Sequence, residues 1–400
     1  MKLDKIAFVP VLNGSILNCA LREDLTLNGK RMTFYTKDAI FSYKRFLTNP
    51  YHHADIWKKI KEKGLIPDDA ITYADSGGLQ EVNLGEKKHT PEEVYRWQQE
   101  YSNIGFSMDS IPFKNETGRF TGWVFDKANF LKHAEKSKEN IDAVKKYKDP
   151  SKKDFMFYGI IQGRKYNEYL QWYEVIRDEF IDGYCVKTPN NNPMCLAETI
   201  IFAHNNISKP LHFLGVGNQS KSLLVYYANQ FLKQPISMDS SSYDIGTQYR
   251  SYLIPFMINR KIRFVNPKNL DNDDLCDRHS IVKIDDLRDI CDCPICAAIG
   301  SDVQDMINRN DPVLGSAISI HNLICNLKWN SYIQSIVGNR EKLLEFIKFN
   351  FESNLSTKMI DAIDMMDLAN EKGHEYALNK YKDQIDFNKS VGEQKSIFNF

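Results

Sequence analysis

Short apolar runs recur along the chain, and each stops on a polar residue or a glycine. Ile71-Thr72-Tyr73-Ala74 runs into Asp75-Ser76-Gly77-Gly78, Ile104-Gly105-Phe106-Ser107-Met108 into Asp109, and Phe155 to Ile161 into Gln162-Gly163. Gly183-Tyr184-Cys185-Val186 runs into Lys187, His212-Phe213-Leu214 into Gly215-Val216-Gly217-Asn218, and Pro235-Ile236-Ser237-Met238 into Asp239-Ser240-Ser241-Ser242-Tyr243. Between them lie segments with helical spacing: Pro91 to Tyr101 behind the N-cap Thr90, Lys127 to Tyr147, Tyr166 to Phe180, Met194 to Asn205 and Gln219 to Leu232. Strands alternating with helices predict a parallel α/β fold, in which ligands gather outside the carboxyl ends of the strands.

At least six strand-helix units fall between residues 71 and 265, and Ile262-Arg263-Phe264-Val265 reads as a further strand. With one more strand from the first 70 residues the count reaches eight, which favours a closed (β/α)8 TIM barrel over an open doubly wound sheet. Residues 1–35 read as short strands and turns, with Asn13-Gly14 as a hairpin signal, and Trp57 to Lys63 as a helix. After residue 270 the character changes to an acidic turn, Asp271-Asn272-Asp273-Asp274, then bunched cysteines, then helices over Arg340 to Ser353 and Lys358 to Asn370. This divides the chain into a catalytic barrel (1–275), a small metal-binding subdomain (276–330) and C-terminal helices packing on the barrel (331–400).

Composition narrows the classes. Hydrophobic content of 42% with 12% aromatics supports a sizeable core and excludes wholesale disorder. Lys plus Arg equals Asp plus Glu at 52 each, so contact with nucleic acid would have to rely on local patches. No run reaches the roughly 18 apolar residues of a membrane span, and Met1-Lys2-Leu3-Asp4-Lys5 before a short strand does not read as a signal peptide; a cytoplasmic protein is expected.

Of eight cysteines, Cys291, Cys293 and Cys296 lie within six positions, with Pro294 turning the chain between them. In a large cytosolic chain such bunching argues for metal. Together with His321 they offer three thiolates and an imidazole, a set suited to a closed tetrahedral Zn2+ of structural type. Cys325, one helical turn past His321, competes for the fourth place.

The motifs Asp75-Ser76-Gly77-Gly78-Leu79-Gln80, Met108-Asp109, Gly159-Ile160-Ile161-Gln162-Gly163, His212-Phe213-Leu214-Gly215-Val216-Gly217, Met238-Asp239-Ser240-Ser241-Ser242-Tyr243, the Cys-x-Cys-x-x-Cys and His321-Asn322-Leu323 stand in the order found in tRNA-guanine transglycosylases. The chain resembles that superfamily over about residues 70 to 325. The resemblance implies a (β/α)8 barrel with a zinc subdomain that exchanges guanine in a polynucleotide for a 7-deazaguanine base. It matches Asp239 to the nucleophile, Asp75 to the general acid and base, and Asp109 to recognition of the purine's pyrimidine edge. Gln162, with the backbone of Gly183 and Tyr184, would hold the base's carbonyl and 7-substituent, and Ser76, Gly77 and Gly78 would line the base pocket. A carboxylate can capture an oxocarbenium-like sugar, and a second of shiftable pKa can supply the proton the departing base needs. A lone strand-end Asp is more often a helix N-cap, but convergence of six strand ends reverses that reading. Asp244 is the rival for nucleophile.

Details such as Asp-Ser-Ser-Ser-Tyr look closest to the archaeal branch, yet the RNA-binding C-terminal region of those members has no counterpart in the 79 residues after His321. The bacterial Pro-Thr-Arg stretch is also missing. Tyr243-Asp244-Ile245-Gly246-Thr247 takes its place, Leu79 stands where a stacking aromatic is usual, and Lys187-Thr188 replaces a glycine and its neighbour. The chain therefore looks most like the DpdA-type DNA 7-deazaguanine transglycosylases of phages and bacterial modification systems. This implies DNA as polynucleotide, with tRNA as the alternative, a preQ0-type incoming base, and a bacterial or phage-infected cytoplasm. A homodimer fits the family, and a non-catalytic partner subunit is the reading from another class. Arg164, Lys187, Arg250, Arg260, Lys261 and Arg263 are candidate phosphate contacts, each weighed against a merely solvated basic face.

Overall fold

The structure is a computed structural model that describes residues 1–78, 89–115, 123–188, 192–244, 251–253, 261–263, 286–289, 291–309 and 311–385. Eight strands form one sheet in which every neighbouring pair is parallel. They are β1 (Ile6–Pro10), β2 (Arg45–Thr48), β3 (Ile71–Ala74), β4 (Ile104–Phe106), β5 (Met156–Ile161), β6 (Gly183–Lys187), β7 (Leu211–Leu214) and β8 (Ile236–Ser240). β8 returns to pair with β1. On the other edge Val11 bridges to Leu47, and the Leu12 amide donates to the Leu47 carbonyl at 2.7 Å. The sheet is a nearly closed parallel barrel.

Parallel neighbours require crossover connections, and helices supply them. These are α1 (Gly14–Cys19), α2 (Pro50–Glu62), α3 (Pro91–Tyr101), α4 (Phe130–Val144), α5 (Tyr166–Ile176), α6 (Pro193–Asn206) and α7 (Gln219–Ala228). α3 starts on a complete capping box, Thr90 accepting from the Glu93 amide and Glu93 from the Thr90 amide. After β8 come α8 (Pro294–Ile299), α9 (Val303–Asn308) and the 25-residue α10 (Pro312–Ile336), which lies against α7 and β1 as the barrel's eighth helix. The last helices are α11 (Arg340–Asn350), α12 (Ser353–Lys372) and α13 (His374–Tyr381). α12 lies across α6 and α7, so α6 is covered on both sides and buried continuously from Pro193 to Ala203.

Strands buried on both faces explain the near-continuous apolar runs. Alternate side chains go to two separate cores. Val9, Leu47, Ile71, Tyr73, Ile104, Phe106, Tyr158, Ile160 and Cys185 fill the barrel interior, while their neighbours, such as Phe46, Phe157, Val186 and Phe213, meet the helices.

Several expectations change. The first 70 residues supply two barrel strands, β1 and β2, and Lys261–Arg263 pairs antiparallel with Ser251–Leu253 outside the barrel. Asn13 caps α1 by accepting from the Ile16 amide at 3.2 Å. The hairpin lies further on, at Thr26–Leu27 and Lys30–Arg31, where Asn28 and Gly29 both take positive φ. A division at residue 330 falls inside α10, and one at 275 lies outside the described residues. Among the described residues no helix is long and apolar enough to cross a membrane.

Gly183 stands at the amino end of β6, where an added Cβ would lie 2.5 Å from the Tyr158 ring and 2.8 Å from the Pro210 carbonyl oxygen. The backbone oxygen cannot swing aside. Gly183→Ala is expected to lower stability by about 1–3 kcal/mol in urea unfolding; an unchanged midpoint would show that this end of the barrel is loosely packed.

Candidate active site and metal centre

The inward parity of the strands builds the site. Leu47, Tyr73, Ile160 and Cys185 face the interior, so Asn49, Asp75, Gln162 and Lys187, each two residues further along, continue onto the same side at the carboxyl ends. On β8 the same alternation turns Ser237 and Asp239 inward, away from the outer core that holds Ile236 and Met238.

Asp239 is held by one oxygen. Its Oδ1 accepts from the Gly215 amide at 2.8 Å and lies 3.2 Å from His212 Nε2; among the described residues nothing donates to Oδ2. His212 Nδ1 lies 2.8 Å from Ser237 Oγ, whose hydroxyl also reaches the Leu211 carbonyl at 3.3 Å, so the ring is tied on both nitrogens. The ring is fully buried between Tyr73 and Phe106. Gly215 can turn its amide toward the carboxylate because φ is +73° there, a conformation that suits glycine.

Asp75 follows β3. Its Oδ2 accepts from Asn49 Nδ2 at 3.1 Å and its Oδ1 from the Ser76 amide at 2.8 Å. Buried Gln98 of α3 ties its Nε2 to the carbonyls of Ala74, Asp75 and Phe106, so the ends of β3 and β4 are pinned together. Burial raises the Asp75 carboxyl above its ordinary value, the backbone amide of Ser76 opposes this, and the Asp239 charge adds to it.

Asp109 lies beyond β4 and is buried. Its backbone is clamped by α4, where Asn140 donates to the Met108 carbonyl at 2.9 Å and Ser137 Oγ accepts the Ser110 amide at 2.8 Å. Its Oδ2 accepts from Gln162 Nε2 at 2.6 Å. Burial pushes this carboxyl up to about 6; the Gln162 hydrogen bond opposes the shift and the Asp75 charge adds to it. Gly78 completes the wall, since a Cβ there would sit 3.2 Å from Asp109 Oδ1, with Gly77 at φ +80° and Ser76 Oγ accepting the Gly78 amide at 3.3 Å. Cys185, inside the barrel, feels the charges of Asp75, Asp239 and Asp109 together, so all three carboxylates share one mouth.

The expected residues divide accordingly. Asp239, Asp75, Asp109, Gln162, Ser76, Gly77, Gly78 and Lys187 meet at this mouth. Gly183 and Tyr184 do not, because β6 runs on to Lys187 and places them at its amino end; Tyr184 points outward, its ring 5.2 Å from that of Tyr173. Asp244 accepts from Ser319 of α10 at 2.8 Å and is buried there. Arg164 forms an ion pair with Glu168 at 2.8 Å and stacks on Phe125 at 3.5 Å. Arg250, Arg260 and Leu79 lie outside the described residues, as do the side chains of Lys261 and Arg263.

Cys291, Cys293, Cys296 and His321 are all buried, and their donor atoms lie within 4.8 Å of one another, which suits one metal ion. His321 Nδ1 is 3.3 Å from both Cys293 and Cys296 Sγ. Cys325 Sγ sits 3.2 Å from the other nitrogen, Nε2, and also meets Cys291, while standing outside the four residues whose donor atoms all lie within 4.8 Å of one another. α10, which carries His321, also holds the segment after β8: Asn322 Nδ2 donates to the Tyr243 carbonyl at 3.2 Å and Ser319 to Asp244.

Asn49, Gln98 and Ser237 complete the site unforeseen. The signal for Ser237 was its inward position one alternation before Asp239, whereas Asn49 follows a strand opened by Arg45 that is only four residues long. A comparison with protein-family models and with curated proteins found no match to this chain.

Because Asp109 holds its proton up to about pH 6 when folded, against 3.8 as the ordinary value, the native state binds more protons in that window. Stability therefore falls as pH rises through it, by about 3 kcal/mol. Asp109→Asn keeps an acceptor for Gln162 and is expected to be more stable than the wild type at pH 7.5 by up to that amount, with the gain gone near pH 4. Urea unfolding at both values checks this; a gain that does not change with pH would contradict it.

Proposed function

We propose that the chain is a base-exchange transglycosylase that replaces guanine in a polynucleotide, DNA first and tRNA as the alternative, with a 7-deazaguanine of preQ0 type. The observation that carries this is the held Oδ1 of Asp239, with Oδ2 left open at a mouth it shares with a second carboxylate of raised pKa. The choice of DNA rests on the sequence resemblance.

In the proposed reaction Oδ2 of Asp239 bonds to C1′ of the guanine-bearing nucleotide as the C1′–N9 bond breaks. The electron pair goes to the departing base, and Asp75 supplies its proton. His212 and the Gly215 amide keep the attacking carboxylate oriented, while the product is a glycosyl ester on Asp239. The incoming base gives its N9 hydrogen to Asp75, bonds to C1′ and releases the Asp239 carboxylate. Asp109 accepts from N1–H and the 2-amino group of guanine, a donor pair that adenine lacks. Since the glycosidic bond is shielded in a helix, the nucleotide is flipped into the mouth.

The metal is proposed to be zinc, on the donor set of three thiolates and an imidazole, with no open position and hence a structural role. It stiffens the segment from which α10 grips the Tyr243 and Asp244 turn. One zinc per chain is expected by elemental analysis; Cys293→Ser should lose it and lower the melting temperature, and a metal-free wild type of unchanged melting temperature would contradict the role.

Guanine exchange tests the activity. Radiolabelled guanine is offered with DNA and with tRNA, and incorporation into DNA is expected, falling by at least about 10³-fold in Asp239→Ala and in Asp75→Ala. Incorporation that survives Asp239→Ala sinks the nucleophile, incorporation into tRNA alone reverses the polynucleotide, and incorporation into neither favours a non-catalytic subunit.

A further inference from the structure

The strand ends carry their polar groups around the mouth in a fixed order. Because β4, β5, β6, β7 and β8 are successive neighbours in the sheet, Asp109, Gln162, Lys187, Gly215 and Asp239 follow one another along one side of it. Lys187 stands in the middle, two residues past the inward-facing Cys185. The Tyr169 hydroxyl donates to its carbonyl at 3.0 Å, and its Nζ lies 3.6 Å from where a Gly215 Cβ would stand, beside the amide that holds Asp239. Its charge also reaches Asp75 and Asp109, where it opposes the rise of both carboxyls. Yet among the described residues this half-buried side chain donates to no acceptor and forms no ion pair. A group with three hydrogens to give, set among carboxylates and joined to none, is suited to an acceptor that arrives with the substrate.

Guanine has an order of its own around its rim. From the 2-amino group and N1–H, both donors, the rim passes to the acceptors O6 and N7, then to C8, and then to N9 with its sugar. In the proposed reaction Asp109 takes the two donors and Asp239 meets the sugar carbon, which leaves two ways round for the edge between them. Gln162 separates the two. One hydrogen of its Nε2 goes to Asp109 at 2.6 Å and the second is left over, so the neighbour of Asp109 on this side is a donor that suits O6. The neighbour on the other side is Asp75, whose strand pairs with β4. With O6 at the end of β5, the next acceptor on the rim, N7, falls to the next strand and to Lys187. Acceptor, donor and donor along the mouth then meet donor, acceptor and acceptor along the base.

We infer that Lys187 donates a hydrogen bond to N7 of the departing guanine and so helps to draw the electron pair of the C1′–N9 bond onto the purine. The inference rests on the transglycosylase reading and adds to it a residue that touches the leaving base. Lys187 keeps its protons throughout: Asp239 forms the new bond to C1′, Asp75 supplies the proton that the base takes up, and Lys187 steadies the negative charge that builds before that proton arrives. A 7-deazaguanine carries carbon in place of N7 and accepts nothing there, so the lysine gives the installed base no such assistance in leaving.

Exchange of radiolabelled guanine tests this with the full chain and Lys187→Met, on DNA and on tRNA, each unmodified and after methylation of guanine N7 by dimethyl sulfate. A methyl group on N7 removes the acceptor and places positive charge on the ring, which replaces what the lysine provides. Circular dichroism checks that the variant is folded, and Lys187→Ala serves as a second variant. On the unmodified polymer Lys187→Met is expected to lose about ten- to hundred-fold in exchange rate, the contribution of one charge-assisted hydrogen bond, while exchange of the methylated polymer is kept. The ratio of methylated to unmodified exchange therefore rises from wild type to variant. A ratio that is the same in wild type and variants overturns the inference and leaves the transglycosylase reading standing. A wild type that exchanges guanine in neither polymer ends both.

Discussion

Like charges crowded at the mouth of an apolar barrel are the constraint on which the site depends. Asp75, Asp109 and Asp239 stand above an interior of Tyr73, Phe106, Ile160 and Cys185. Carboxylates so placed cannot all ionise freely, because desolvation and mutual repulsion both favour the proton. Asp239 has two partners on one oxygen, whereas burial dominates at Asp75 and Asp109 and raises both. Unlike environments around neighbouring carboxyls are the general means by which one site gives them different chemistry.

Holding that arrangement requires rigid backing, and each carboxylate has its own. Gln98 pins the strand ends at Asp75, α4 clamps the turn at Asp109, and His212 with Ser237 backs Asp239. The Cys3His cluster that could hold a metal ion belongs to this scaffold, since one helix supplies His321 to it and Asn322 and Ser319 to the turn after β8. A small cysteine cluster remote in sequence thus steadies the strand that carries Asp239.

Much of this was legible in the residues. Parallel strands buried on both faces leave continuous apolar runs, and a polar residue at their carboxyl ends marks the mouth, which is how Asp75, Gln162, Lys187 and Asp239 could be read. The cysteine spacing likewise exposed the metal cluster. What stayed hidden depended on register: Gly183 and Tyr184 open a strand whose polar end is Lys187, and only the pairing of Gly183 with Tyr158 places them at the far end. Cys325 and His321 share a helix face, so spacing alone could not say which atom faces the cluster.

The most direct test is mass spectrometry of the chain quenched in denaturant during incubation with a guanine-containing oligonucleotide. The account predicts an adduct equal in mass to the chain plus the oligonucleotide less its guanine, mapping to the peptide that bears Asp239 and absent in Asp239→Asn. An adduct on another residue, or one that persists in Asp239→Asn, would contradict it.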